Sequence, residues 1–84
     1  MKPIILSKHA RDRMAGRGAE EHEVRSAFKN GARKVTRDGK IWCRQNFTFK
    51  STWQGRYYAV KQVAPIIVEE PDKIVVVTVY AFYF

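Results

Sequence analysis

Glu20-Glu21-His22-Glu23-Val24-Arg25-Ser26-Ala27-Phe28-Lys29-Asn30-Gly31 is the stretch on which the fold turns. Its acids crowd the first turn, where a helix dipole favours them, and Lys29 falls in the last turn, where cations are favoured. Val24, Ala27 and Phe28 supply an i, i+3, i+4 apolar face, and Asn30-Gly31 stops the helix. Beyond Gly31 the period shortens. Arg33 to Arg37 reads as a strand, with a turn at Asp38-Gly39. From Ile41 to Lys50 the chain alternates: Ile41, Cys43, Phe47 and Phe49 face one way, Arg44, Asn46, Thr48 and Lys50 the other. Trp42 falls out of pattern on the polar side. Ser51 to Gly55 reads as a loop, Arg56 to Val63 as a strand interrupted by Ala64-Pro65, and Glu70-Pro71-Asp72 as a turn. Lys73 to about Phe82 is the last strand; its Ile74–Val77 run is apolar on both faces, which places it centrally and covered on both sides.

Upstream, Ser7 is a good N-cap for a helix reaching about Arg17, with Gly18 as its stop and Ala10 and Met14 as its apolar line. Ile4-Ile5-Leu6 is an extended lead-in or a hydrophobic staple. The expected architecture is α+β: two N-terminal helices packed on an antiparallel sheet of about four strands, in a single domain over residues 1–84.

Sixteen Lys and Arg against eight acids give a net charge of +8, the electrostatic footprint of a nucleic-acid binder or of a partner for an acidic protein. Residues 1–42 hold 11 cations and 5 acids, so the basic surface belongs mainly to the N-terminal half. The single Cys43 excludes an intramolecular disulfide and fits a reducing, cytoplasmic setting. Met1 to Leu6 is too short for a signal peptide, and no run reaches transmembrane length, so no membrane association is expected. His9 and His22 with one Cys do not make a ligand spacing, so no metal and no cofactor are expected.

On the first helix His9, Arg13 and Arg17 recur every four residues and form one stripe, one titratable imidazole beside two permanent cations. On a wheel they lie at about 0°, 40° and 80°, with Ala10 and Met14 at about 100° and 140°. The basic stripe therefore borders the apolar one, and His9 and Arg13 are expected half-buried at the seam between helix and sheet, at least one of them hydrogen-bonded to a strand residue or a backbone carbonyl. Further on, Arg44, Lys50, Arg56 and Lys61 stand among Trp42, Trp53, Tyr57 and Tyr58. Cations hold phosphates and aromatic faces stack bases, so Arg17, Arg44, Arg56, Lys61 and Trp53 are candidate RNA-binding residues.

The pattern His9-Ala10-x-x-Arg13-Met14-x-x-Arg17-Gly18, then Val24, Ala27, Gly31 and a terminal Val77-Thr78-Val79-Tyr80, resembles a family of small bacterial domains of unknown function. That family is often grouped with the RelE-like toxins of the barnase/EndoU/colicin/RelE ribonuclease fold. The resemblance implies RNA cleavage without a metal, with ribosome-bound messenger as a substrate. It implies that His9 is the general acid or base, that Arg13 and Arg17 hold phosphate, and that Tyr80 assists. It further implies an acidic antitoxin as partner. The expected function is thus a RelE-like endoribonuclease, the toxin of a toxin-antitoxin pair. The alternatives are a non-catalytic nucleic-acid-binding module and a protein-interaction domain that pairs with a partner or with itself through the apolar Tyr80-Ala81-Phe82-Tyr83-Phe84 segment.

Overall fold

A computed structural model describes residues 2–84. The elements run β1 (Ile4–Leu6), α1 (Lys8–Arg17), α2 (Glu21–Asn30), β2 (Ala32–Val35), β3 (Ile41–Trp53), β4 (Arg56–Glu69) and β5 (Ile74–Tyr83). Two N-terminal helices pack on a sheet of order β1-β5-β4-β3-β2, whose pairs from β2 to β5 are antiparallel. The architecture is α+β, as the change of period at Gly31 implies.

The helix ends follow from local chemistry. Ser7 Oγ accepts from the Ala10 N–H at 3.0 Å, and Gly18 closes α1 in the left-handed conformation, φ 72°, its N–H given to the Met14 carbonyl. Glu23 returns Oε1 to the Glu20 N–H at 2.9 Å, fixing the start of α2. Ala10, Met14, Val24 and the strand residues Cys43, Val63, Ile67, Ile74, Val76 and Val79 form one core. Both helices therefore lie on the same side of the sheet.

The sheet departs from the sequence reading at four places. Ile4–Leu6 is a fifth strand, paired in parallel with Ile74–Val76 of β5; three residues carry too little pattern to reveal a partner so far along the chain. Pro65 does not interrupt β4. Its ladder to β5 continues through Pro65↔Val79, while the β3 ladder passes from Trp42↔Ile66 to Gln45↔Val63. A strand held on both sides thus accommodates a residue with no N–H to give. Ser51 to Trp53 is strand, and the reversal is the two-residue turn Gln54-Gly55. Both residues have positive φ, 51° and 80°, as the tightest hairpins require. Finally, β5 is interior only over Ile74–Val76, where β1 flanks it; Val75 and Val77 on its other face are half-buried.

Tyr83 joins the end of β5 to the end of α1. Its O–H donates to the Arg17 carbonyl at 2.7 Å, and its ring stacks on Trp53 with centroids 5.3 Å apart. A methyl group on Gly18 would approach Tyr83 Oη to 2.6 Å and the Trp53 ring to 2.8 Å. Gly18→Ala combines that collision with a positive φ, so chemical denaturation should show a loss of about 1–3 kcal/mol. Burial, with a smaller contribution from the Glu23 carboxylate, raises the Tyr83 phenol above its ordinary value of 10.0. The bonded, protonated phenol stabilises the fold below pH 10 and stops doing so as the pH rises through the raised value. Thermal melts compared between wild type and Tyr83→Phe should therefore converge above that point.

Candidate nucleic-acid interface

Antiparallel partners share a face, so the register sorts the strand residues into two sets. Cys43, Gln45 and Phe47 look toward the helices with Val63, Lys61, Ala81 and Tyr83. Trp42, Arg44, Asn46, Gln62, Ala64, Ile66, Thr78, Tyr80 and Phe82 lie on the opposite face, which neither helix covers.

That open face carries an aromatic row. Trp42 and Tyr80 stack with centroids 5.8 Å apart and planes at 13°, and Tyr80 and Phe82 follow at 6.3 Å and 14°. Trp42 and Tyr80 stand on β3 and β5, with β4 between them, so their backbones are about 10 Å apart. The rings must therefore lean together across β4. Beneath them Ala64 is fully buried and Ile66 8% exposed, although no helix covers that side. Ala64 leaves room for the stack; a larger side chain there would part the rings.

Arg17 links this row to α1. Its guanidinium lies 4.7 Å from the Tyr80 ring centroid, and Nη1 donates to the Val79 carbonyl at 2.8 Å. Past Val76 no strand flanks β5 on its outer side among the described residues. Arg17 reaches over that open edge, satisfies a strand carbonyl and stacks on an aromatic face at once.

The seam expectation assigned to His9 and Arg13 is corrected. Both are exposed, and their bond is to each other, Arg13 Nε donating to His9 Nε2 at 3.4 Å. The wheel explains the shift: of the stripe, Arg17 lies nearest the apolar line and His9 farthest. Within His9–Gly18, Ala10 and Met14 fill the core, Gly18 ends the helix and Arg17 clasps β5. His9 and Arg13 hold nothing else in the fold among the described residues.

The remaining candidates divide. Arg44 is exposed on the open face, in the row of Ala64 and Tyr80. Arg56 pairs with Trp53 at the tip of the β3–β4 hairpin, away from the row. Trp53 is a strand residue, not a loop residue, and its ring is engaged by Tyr83 against Gly18. Lys61 is 4% exposed and faces the helices, its ammonium 2.9 Å from Glu23 Oε1 and 3.0 Å from the Gly18 carbonyl. It is thus spent within the fold and cannot reach a phosphate. Trp42 and Phe82, absent from the sequence-derived set, complete the row. The signal for Trp42 was its place off the alternation: a large ring on a polar face.

Glu20, His22 and Glu23 converge within 4.8 Å, a grouping that sequence spacing had set aside as a ligand set. Glu23 Oε1 is already occupied by Lys61 and the Glu20 N–H. The exposed Glu21 carboxyl lies below its ordinary range because Arg25 bonds to it.

Comparison with known families gives one match, a domain of unknown function, DUF4258, over residues 6–81. The chain belongs to the DUF4258 family. No curated protein and no solved structure matches it. In this DUF4258 domain no helix among the described residues is long and apolar enough to cross a membrane. The division of the helix-one motif has a direct test in stability. His9→Ala and Arg13→Ala should each change the unfolding free energy by no more than about 0.5 kcal/mol. Arg17→Ala, which strips a carbonyl partner and a stacked ring, should cost about 1–2 kcal/mol in the same denaturation experiment.

Proposed function

We propose that this domain binds single-stranded RNA across the open face of its sheet. The observation that carries the reading is the Arg17–Tyr80 contact, which joins the helix-one cations to a row of half-exposed, nearly parallel rings. Flat rings on an uncovered sheet stack unpaired bases, and every base offers a π-face. Arg17 and Arg44 flank the row as phosphate partners, and Arg13 and His9 extend the cationic track along α1. The net charge of +8 draws a polyanion to this surface from a distance. A duplex keeps its bases paired and stacked away from such a row, so the substrate class is single-stranded.

A second reading is favoured by the His9–Arg13 pair. An exposed imidazole stands beside a guanidinium, with Arg13 Nε 3.4 Å from His9 Nε2. On bound RNA, His9 would take the 2′-hydroxyl proton. The 2′-oxygen would bond to the adjacent phosphorus as the bond from phosphorus to the 5′-oxygen breaks and that oxygen takes a proton from water, while Arg13 stabilises the charged phosphorane. Tyr80 would position the base beside the scissile bond. This is the metal-independent, RelE-like endoribonuclease, a cytoplasmic toxin acting on free or ribosome-bound RNA and held by an acidic antitoxin.

Fluorescence anisotropy with a short oligouridylate tests the binding. Trp42→Ala or Tyr80→Ala should weaken it roughly tenfold or more, since each stacked base contributes about 1–3 kcal/mol. Arg13→Ala should reduce the slope of log affinity against log salt by about one. Wild-type affinity in the Trp42→Ala/Tyr80→Ala double variant would refute the reading. Cleavage of the same oligonucleotide by wild type, lost in His9→Ala with binding retained, would establish the second.

A further inference from the structure

The opposite margin of the sheet offers a different surface. β2 is an edge strand, paired on one side with β3 and open on the other among the described residues. All of Ala32–Val35 is exposed, Val35 to 68%. Its row of outward N–H and C=O groups is a template for one more strand.

The charge around it is one-sided. Lys29, Arg33, Lys34, Arg37 and Lys40 lie on or beside β2, with Asp38 as the single acid from residue 29 to residue 40. Asp38 is already engaged, by Thr36 and by Lys40 at 3.2 Å. Arg33 stacks on Phe28, 4.4 Å from its centroid, which holds one cation on the helix side of the edge. Lys34 pairs in register with Trp42 and so holds a cation on the open side. A strand added here would meet a positive charge on each of its faces.

This arrangement selects among occupants. A second copy lying antiparallel along β2 would set Arg33 against Lys34 of its neighbour, and like charges directly opposite are destabilising. Nucleic acid has no strand backbone to match the ladder. An extended segment with carboxylates on both faces and an apolar residue for Val35 satisfies the hydrogen bonds, the charge and the exposed side chain together. We propose that the outer edge of β2 takes up an extended acidic segment of a partner protein as an additional strand of the sheet.

The test uses the full chain, nitrogen-15 labelled, titrated with a synthetic peptide repeating Glu-Glu-Val, which sets carboxylates on both faces of a strand. Saturable binding is expected, with slowed hydrogen exchange at the outward amides of Ala32–Val35 only when peptide is present. A peptide of the same sequence, N-methylated at alternate residues, keeps the charge and loses the ladder; it should bind roughly tenfold more weakly or worse. Lys34→Glu/Arg37→Glu, both at exposed positions, should lose a similar factor while its spectrum reports an intact fold. Trp42→Ala/Tyr80→Ala should bind the peptide as wild type does, which separates this surface from the RNA face. Equal affinity for the N-methylated peptide overturns the proposal, as does protection along the β5 edge in place of β2. Protection of the β2 amides by oligouridylate, with none by peptide, assigns the edge to RNA and also overturns it.

Discussion

The buried ion pair between Lys61 and Glu23 is the constraint on which the remaining geometry depends. Lys61 rises from the middle of β4, and Glu23 descends from the first turn of α2. Their side chains are 6% and 7% exposed. The same ammonium bonds the Gly18 carbonyl, and the same carboxylate oxygen accepts the Glu20 N–H. Four segments of chain are thus fixed at one point: the end of α1, the link to α2, the start of α2 and the centre of the sheet. With both partners present each charge has several hydrogen-bonding neighbours; with either removed the other is stranded in the core, at a cost of about 3–5 kcal/mol. Holding α1 against β5 in this way is what lets Arg17, at the last turn of that helix, reach across the strand edge to Tyr80.

The division of labour within the sheet follows from which face the helices occupy. The covered face is mostly aliphatic, with aromatic residues gathered around Tyr83 near its end. The other face has no layer over it, yet Ala64 and Ile66 are withdrawn from water there. Trp42 and Tyr80 stack with each other on that face, centroids 5.8 Å apart. Half-exposed rings on an uncovered sheet face shield apolar side chains and still offer ring surface to a base, so one arrangement is both packing and platform. The structural reading and the binding reading of these rings are therefore compatible rather than rival.

Much of the fold was legible because its signals were local. Ser7, Gly18, Glu23 and Gly31 act within a turn or two of themselves, and the helix limits at Lys8–Arg17 and near Glu21–Asn30 follow from them. The β3 alternation fixed which residues share a face. Illegible were features decided by distant partners. Ile4–Leu6 shows its nature only beside Ile74–Val76, and Pro65 is tolerated only because β5 holds it. The site divided in the same manner. The stripe on α1 was visible as spacing, but the seam was assigned to His9 and Arg13, and it is Arg17, nearest the apolar line, that holds β5. Lys61 has the composition of a phosphate ligand, and only the docking of α2 reveals that Glu23 consumes it. Trp42 lies forty residues from Phe82 in the chain, so no local pattern could join it to the Tyr80–Phe82 pair.

The parallel pairing of β1 has a consequence for the order in which the molecule assembles. β3 and β4 meet through a two-residue turn and can zip outward from Gln54-Gly55 with almost no chain to close. β5 joins β4 across a short connection from Glu69 to Ile74. β1 must instead bring residue 4 beside residue 74, enclosing nearly the whole polypeptide in a single loop for a three-residue reward. Such a contact forms late and contributes little to the rate-limiting barrier, so its residues act on the rate of unfolding more than on the rate of folding. The first strand in the sequence is thereby the latch of the structure, the last piece to close and the first to open.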